Sequence, residues 1–254
     1  MAELRLRALR GIGEIRPGER LGEVLTDALR HNDVVLRDHD VVAVCQKVVS
    51  KSENRYRELA DETPTPKAVE LAAICGKDAR YVEVVLQQAT DVVRCSRGVL
   101  IVRHKLGFVV ANAGVDQSNI ERGDERVLLL PEDPDASAER LRVHIEARHG
   151  VSVGVVVTDS FGRAWRKGVI GVALGCAGLQ SLRDRRGERD RQGRELRITE
   201  VALGDQIASA ATLVMGEADE GLPMVVISGL AAEAFDGHEP ATALIRPARE
   251  DLFL

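Results

Sequence analysis

The amino-acid sequence predicts a globular protein of mixed α/β (α+β) class, and three observations support this prediction. Short Val-rich segments typical of strands are interspersed with segments of helical spacing along the 254 residues. Residues 151–158 are apolar at nearly every position, as in a strand that is covered on both faces of a sheet. Residues 198–215 form a long, Ala-rich helical pattern. The length suffices for one large domain or two small ones.

The N-terminal part predicts two strands separated by a loop and a helix. Residues 4–9 alternate between apolar and charged side chains, which is the period of a half-buried strand. Residues 11–18 form a Gly- and Pro-rich loop, and residues 21–29 have helical spacing. The run VVAVCQKVV predicts a strand over residues 40–49.

Prolines divide the middle of the chain. Pro64 and Pro66 mark a loop, and Pro66 suits the first turn of a helix over residues 68–75. Further short apolar segments predict strands, at residues 82–86, 92–93, 99–102 and 108–110.

A second proline-marked break, at Pro131 and Pro134, precedes the C-terminal half. Asp135 or Ser137 is expected to cap a helix that runs to about Arg148, because short oxygen-bearing side chains satisfy the first N–H groups of a helix. After the strand and the helix named at the outset, residues 224–227 predict another buried strand.

The composition argues against several classes of function. The formal net charge of −5 disfavours general binding to nucleic acid or to an anionic membrane. No apolar run approaches the roughly 20 residues that span a bilayer, and the charged N-terminus is not a signal peptide, so the cytoplasm is the expected location. The widely spaced Cys45, Cys75, Cys95 and Cys176 form no CxxC pair, which favours buried reduced thiols over zinc or disulfides.

The densest charge is the segment RDRRGERDRQGRELR, residues 183–197, in which seven arginines are interleaved with acidic residues. The plainer interpretation is a solvated loop with local ion pairs. The functional interpretation is an anion-binding loop near a phosphate-bearing substrate. Mixed signs and the lack of aromatic residues disfavour a nucleic-acid surface.

The first segment with chemical potential is VVVTDSFGRAWRKG, residues 155–168. A buried strand is expected to end at Asp159, and ligand sites in α/β proteins lie where strands end. The oxygens of Asp159 and Ser160 suit a hard cation such as Mg²⁺ or Mn²⁺. Basic side chains that follow suit phosphate or carboxylate groups: Arg163, Arg166 and Lys167. The alternative is a turn in which Asp159 caps the next segment.

The second segment is ANAGVDQSNIERG, residues 111–123, a loop of small residues after a predicted strand. Asp116 would add a second metal carboxylate, and Asn119 an amide contact. The alternative is a turn built by the side-chain to backbone hydrogen bonds that Asp, Ser and Asn commonly make.

The third segment is VMGEADEG, residues 214–221, between a predicted helix and a predicted strand. Glu217, Asp219 and Glu220 in one glycine-flanked loop are suited to bind metal. A solvated acidic loop is the alternative.

Two N-terminal segments are suited to a nucleotide. The glycines of GIGEIRPG, residues 11–18, expose backbone N–H groups, although the segment is not a Walker A motif and no GxxxxGK[ST] occurs. The segment CQKVVSKSENR places Gln46, Lys47, Ser50 and Lys51 at the end of a predicted strand, where a lysine suits a phosphate chain. An exposed surface lysine is the ordinary alternative.

Taken together and in order, these segments resemble the coenzyme F420:L-glutamate ligase family. The similar segments also include GRELRITEVALGDQIASAA and IRPAREDLFL, and the resemblance runs from about Leu6 to Phe253. It implies one ligase domain over residues 1–254, built from two interleaved mixed-sheet subdomains, with neither a P-loop nor a Rossmann fold.

The resemblance also implies roles for individual residues. Asp116 and Asp159 match ligands of one divalent cation, Ser160 and Glu217 match ligands of another, and Lys51 joins the two aspartates as an expected catalytic residue. The GTP-binding segments match Ile12, Gly13, Glu14, Ile15, Gln46, Lys47, Lys51, Asn119, Met215, Gly216, Glu217, Ala218, Asp219, Glu220, Gly221 and Leu222. Gln46 stands where some relatives carry Ser, and Glu217 where some carry Gln.

The implied reaction joins L-glutamate to the carboxylate of a deazaflavin coenzyme precursor, with an acyl phosphate formed from GTP. The implied cofactors are two Mg²⁺ or Mn²⁺ ions, with K⁺ as an optional addition, and the implied assembly is a homodimer. Arg163, Arg166 and Lys167 are expected to steer the anionic substrates. The alternatives are a metal- and nucleotide-dependent ligase for another carboxylate, and a non-catalytic GTP-binding module.

Overall fold

The computed structural model describes residues 3–121 and 123–251. Arg122 and residues 252–254, which include Phe253 at the end of the C-terminal motif, lie outside the described residues. The strands are β1 (Arg5–Ala8), β2 (Val41–Cys45), β3 (Tyr56–Glu58), β4 (Ala89–Ser96), β5 (Val99–His104), β6 (Val109–Ala111), β7 (Arg126–Leu128), β8 (Gly154–Arg163), β9 (Arg166–Ala177), β10 (Arg183–Asp184), β11 (Glu200–Val201) and β12 (Met224–Ser228). The α-helices are α1 (Leu21–His31), α2 (Gln46–Ser52), α3 (Pro66–Cys75), α4 (Ala79–Gln87), α5 (Pro134–His149) and α6 (Leu203–Met215).

A five-stranded sheet with the strand order β1-β12-β2-β8-β9 organises the larger unit. β2 and β8 are parallel, whereas the other neighbouring strands are antiparallel. Val42 and Val155 pack on the face covered by α1 and α5, and Val41 and Val156 pack on the face covered by α6. Both faces of the central strands are covered, which explains why β2 and the first half of β8 are apolar at nearly every residue.

A three-stranded antiparallel sheet, β4-β5-β6, and the helices α3 and α4 form the smaller unit. The chain leaves the larger unit after α2 and returns to it at α5. The β8–β9 hairpin reaches back to β6, where the rings of Phe161 and Phe108 lie 5.2 Å apart. The two units therefore interleave, and the predicted mixed α/β class is confirmed.

The prediction of a strand over residues 82–86 is wrong, because this segment lies in α4. The carboxylate of Asp78 accepts a backbone N–H from the first turn at 2.8 Å and so caps the helix. Tyr81, Val82 and Val85 are buried on one face of the helix, at helical spacing. Burial of this face outweighs the strand preference of β-branched side chains.

The predicted strand over residues 40–49 is too long, since β2 ends at Cys45 and α2 follows at once. One turn inside α2, the Ser50 hydroxyl donates to the Gln46 side-chain carbonyl at 2.9 Å. A short run of valines is compatible with both periods, so the sequence pattern did not separate strand from helix. Lys51 consequently lies on a helix and not just past the end of a strand.

The start of α5 also differs from the prediction. Asp133 is the N-cap, because its Oδ1 accepts the N–H of Ala136 at 2.9 Å. Asp135 and Ser137, the expected caps, lie inside the first turn. Pro134 precedes them at the first helical position, where its missing N–H costs no hydrogen bond.

The helix predicted over residues 198–215 is shorter at its N-terminal end. Ile198 is exposed, and β11 pairs with β10 before α6 begins at Leu203. The preceding residues are held by this two-stranded ladder, so the helical pattern alone overestimated the length.

The composition predicts reduced cysteines and no membrane-spanning segment. All four cysteines, which lie within the described residues, are unpaired; Cys75 and Cys176 are buried as expected, whereas Cys45 and Cys95 are partly exposed. Among the described helices, none has both the length and the apolar character that a membrane span requires.

Candidate active site

A cavity of about 410 Å³ lies where β2 ends, between the N-terminal loop, α2, β8 and the loop after α6. Residues from five separate stretches of the chain meet at this position. Most of the residues predicted to bind nucleotide or metal line it: Ile12, Gly13, Glu14, Ile15, Lys47, Lys51, Asn119, Asp159, Ser160, Met215, Gly216, Glu217, Ala218, Asp219, Glu220, Gly221 and Leu222.

The helix α2 carries two lysines of the cavity wall, Lys47 and Lys51, which lie one turn apart on the same side of the helix. The Lys51 ammonium contacts the Glu14 carboxylate and donates to the Asn119 carbonyl at 2.8 Å. Lys51 is only 5% exposed, so its charge is mostly removed from water and held by oxygen atoms. The fold therefore holds a cation in a fixed position at the cavity.

Lys47 binds the loop after β6. Its Nζ lies 2.8 Å from Asp116 Oδ2 and donates to Ser118 Oγ at 2.7 Å. The Ser118 N–H donates to Asp116 Oδ1 at 2.7 Å. Burial disfavours ionisation of Asp116, but the hydrogen bonds from Lys47 and Ser118 outweigh it and hold the pKa of this carboxyl below its usual value. Asp116 is therefore an ionised group beside the cavity.

Asp159 lies within β8 and not at its end, which corrects the prediction. Thr158 pairs with Cys45, the last residue of β2, so β8 continues past its parallel neighbour as one arm of a hairpin. Asp159 is thus at the point where the parallel pair ends, and it faces the cavity. Burial raises the pKa of Asp159 to about 7, and the nearby carboxylates of Asp116 and Glu217 add to the effect.

The loop after α6 supplies the acidic wall of the cavity. Gly216 and Gly221, at its two ends, have φ values of 77° and 66°, which favour glycine. Within the loop, the Glu220 carboxylate accepts the N–H of Ala218 at 2.9 Å. The Asn119 amide donates to the Ala218 carbonyl at 3.4 Å and joins this loop to the Asp116 loop. Glu217, next to Ala218, is exposed toward solvent and lines the cavity.

The structure places some predicted site residues elsewhere. Gln46 is 2% exposed, is absent from the described lining and has its carbonyl bonded to Ser50. Arg163, Arg166 and Lys167 are exposed at the tip of the β8–β9 hairpin and are likewise absent from that lining.

Several cavity residues were not predicted. Cys45 and Thr158, the last paired residues of the two parallel strands, both line it, and burial raises the pKa of the Cys45 thiol to about 11. Thr212 precedes Met215 by one turn of α6 and lies on the same side. Their positions in the sequence could have indicated them. A residue next to a predicted site residue at a strand end, or one helical turn away from a predicted site residue, has the same surroundings.

The cavity has an oxygen donor set that fits a hard divalent cation. Asp159, Ser160 and Glu217 line the same space, and Asp116 lies beside it. Among the described residues, no three acidic, His or Cys side chains converge closely enough to hold a metal without help. This pattern matches Mg²⁺ sites, in which one or two carboxylates bind the ion and phosphate oxygens and water complete its shell.

Comparison with known proteins gives consistent matches. The family model described as F420-0:Gamma-glutamyl ligase matches residues 11–229. The chain is 47% identical over 242 residues to the coenzyme F420:L-glutamate ligase of Methanopyrus kandleri, covering 94% of this chain and 93% of that protein. The proteins of the same name from Methanocaldococcus jannaschii and Methanothermobacter thermautotrophicus are 44% and 36% identical, covering 86% and 98% of each chain.

Proposed function

The chain belongs to the F420-0:gamma-glutamyl ligase family, and we propose that it attaches L-glutamate to coenzyme F420-0 in a reaction driven by GTP. Family membership confirms the resemblance carried by the sequence motifs. The names of the relatives support the ligase activity and its two joined substrates. The use of GTP is supported by the charges of the cavity.

The arrangement of opposite charges around one cavity carries this proposal. Lys47 and Lys51 supply positive charge from α2, and Asp159 and Glu217 supply negative charge from β8 and the loop after α6. Phosphoryl transfer needs cations around the phosphate oxygens and metal ligands beside them. Exposed backbone at Gly13 offers a surface for the rest of the nucleotide.

The residues that would hold the divalent cations are those with oxygen donors at the cavity. Asp116 and Asp159 would hold one Mg²⁺ or Mn²⁺ ion, and Ser160 and Glu217 a second. Bound cations of this kind neutralise the charge that develops on a transferring phosphoryl group. Lys47, now paired with Asp116 at 2.8 Å, would be free to contact phosphate once a cation neutralised that carboxylate.

The proposed chemistry has two covalent steps. A carboxylate oxygen of F420-0 attacks the γ-phosphorus of GTP, and the bond from this phosphorus to the bridging oxygen breaks, so GDP leaves with the electron pair. The resulting acyl phosphate has a better leaving group than a carboxylate has. The amine of glutamate then attacks the acyl carbon, loses a proton and expels phosphate, which forms the amide. Lys47 and Lys51 would hold phosphate oxygens in both steps.

We also propose that the protein acts as a homodimer. The β8–β9 hairpin carries exposed Arg163, Arg166 and Lys167 at its tip, and none of the three lines the cavity of its own chain. In a dimer, the tip would steer anionic substrates of the partner. A variant with these three residues changed to alanine should then recover activity when mixed with Asp159→Asn, because one mixed site is intact. Lack of recovery in subunits shown to exchange would contradict action across the dimer.

An isotope experiment tests the ligase proposal. The precursor F420-0 is labelled with oxygen-18 in its carboxylate and incubated with glutamate, GTP and Mg²⁺ for one turnover in unlabelled water. Mass spectrometry should find the γ-glutamyl product together with labelled phosphate, because the bridging oxygen leaves with the phosphate. Amide product with unlabelled phosphate would contradict the acyl phosphate. GTP binding with neither product would favour a regulatory module, and turnover of another carboxylate alone would favour a related ligase.

A further inference from the structure

A second cavity, of about 280 Å³, lies between the β8–β9 hairpin, the β5–β6 turn and the start of α5. The sequence predicted no binding role for the residues that line it. Its walls include Phe108, Phe161, Val172 and Ile245. Cavities with mainly apolar walls and a few polar groups are typical small-molecule sites.

Two aromatic rings form one corner of this cavity. The rings of Phe108 and Phe161 lie 5.2 Å apart and are inclined by 54°. Behind Phe108, the buried His104 ring stacks at 5.1 Å and 7°, and its Nδ1 accepts the Leu106 N–H at 2.9 Å. These contacts hold Phe108 in place, so the corner is a preformed surface for a planar ligand.

Both acidic and basic side chains line the cavity. The Asp135 carboxylate accepts hydrogen bonds from the backbone N–H of Cys176 at 2.8 Å and of Ala241 at 2.7 Å. It therefore links the start of α5 to β9 and to the segment at Ala241. The Arg103 and Arg246 side chains also border the cavity. Guanidinium groups can donate to the carbonyl oxygens of a heterocycle. The cavity is therefore suited to a planar ring that has carbonyl acceptors at its edge.

The second cavity is close to the candidate active site. Asp159 and Phe161 are two residues apart on β8, and the pairing with β9 is regular between them. Side chains at this spacing share one face of a strand and lie about 7 Å apart along it. A ligand whose ring contacts Phe161 can therefore extend a chain toward the cations expected at Asp159.

We propose that this cavity binds the deazaflavin ring of F420-0, an inference that rests on the proposed function. The ring is planar and has carbonyl groups, and the rest of the molecule leads to the carboxylate that reacts. Glutamate is a poorer fit, since it has no ring to stack on Phe108 and Phe161. The first cavity, with its two lysines, is the better fit for GTP.

Substitutions at two lining residues test the assignment. Phe108→Leu removes the ring that His104 supports, and Ile245→Trp adds bulk at another residue that lines the cavity. Phe108→Leu should raise the KM for F420-0 by about three- to tenfold because stacking is lost, and Ile245→Trp should raise it more because space is blocked. The KM values for GTP and glutamate should be unchanged in both variants. Calorimetric titration with F420-0 should show the same loss of affinity.

Phe235→Leu is the matched control for the first variant. Phe235 also stacks on a histidine, His39, with ring centroids 4.8 Å apart, but it is absent from the described lining of both cavities. It should leave the KM for F420-0 unchanged.

The outcomes separate this inference from the proposed function. If wild-type protein forms no glutamylated product from F420-0, the proposed function fails. If wild-type protein is active and a folded Phe108→Leu or Ile245→Trp variant keeps a normal KM and affinity for F420-0, the ring site is wrong. A rise in the KM for GTP alone would assign the cavity to the nucleotide and would equally overturn the inference.

Discussion

The Lys47 ammonium lies 2.8 Å from Asp116 Oδ2, and this ion pair joins α2 of the larger unit to the loop after β6 of the smaller one. Both side chains are about one-quarter exposed, at 23% and 26%. Water screens a pair at this depth less than it screens a surface pair. The pair therefore serves both the candidate active site and the junction of the two units.

We expect the Lys47–Asp116 pair to show coupling in a double-mutant cycle. Lys47→Met should destabilise the protein by about 1–3 kcal/mol, because it leaves the partly buried Asp116 without its cation. Asp116→Asn added to this variant should cost little more. Urea unfolding of the four proteins measures the coupling, and additive effects of the two substitutions would contradict it.

Asp159→Asn should abolish turnover and leave the fold intact. The substitution removes one negative charge from a cation site that depends on oxygen charge, and asparagine keeps the size of the side chain. Because burial makes the Asp159 charge unfavourable in the folded protein, the melting temperature should not fall at neutral pH. Near-normal activity at saturating Mg²⁺ would remove Asp159 from the site.

Lys51→Ala should raise the KM for GTP and lower kcat, together by roughly ten- to hundredfold in kcat/KM, which is the scale of one charged hydrogen bond. Lys67→Ala is the control, because Lys67 lies on α3 in an exposed ion pair with Glu70. Its kinetics should match those of the wild type. Unchanged GTP kinetics in Lys51→Ala would show that this lysine has only a structural role.

His104 should make the stability depend on pH in a defined direction. Burial, aided by the positive charge of Lys105, lowers the pKa of His104 to about 4 from its ordinary 6.5. The unfolded chain therefore binds a proton at His104 more tightly than the folded protein does. Up to about 3 kcal/mol of the free energy of unfolding is present above pH 6.5 and is lost as the pH falls toward 4. His104→Asn keeps an acceptor without titrating. Its unfolding free energy should fall less steeply across this range, and parallel curves would contradict the assignment.

Gly175→Ala should be strongly destabilising. A methyl group at this position of β9 would meet the backbone carbonyl of Pro134 at the start of α5, and backbone yields less readily than a side chain. We expect a loss of about 1–3 kcal/mol or more. Gly162→Ala, in the same hairpin with open space around it, should change the melting temperature little. Equal effects of the two substitutions would show that β9 can shift away from α5.

The amino-acid sequence by itself determined the elements with one clear local period. The strand at β12, the helix α3 with its leading Pro66, and the buried half of β8 follow from neighbouring residues alone. The family also follows from the sequence, because consecutive residues carry its motifs. Among the site residues, Lys51, Asp159 and Glu217 were predicted from such motifs, and the structure brings them to one cavity.

Only the tertiary structure decided which side chains share a space. The burial of Gln46 and the cavity position of Lys47, its neighbour, depend on which way α2 turns, and a run of valines is compatible with helix and strand. The continuation of β8 beyond Asp159 depends on pairing with β9. The corner made by Phe108 and Phe161 joins segments of two different units. Such proximity arises from long-range packing, which the local period of a sequence does not encode.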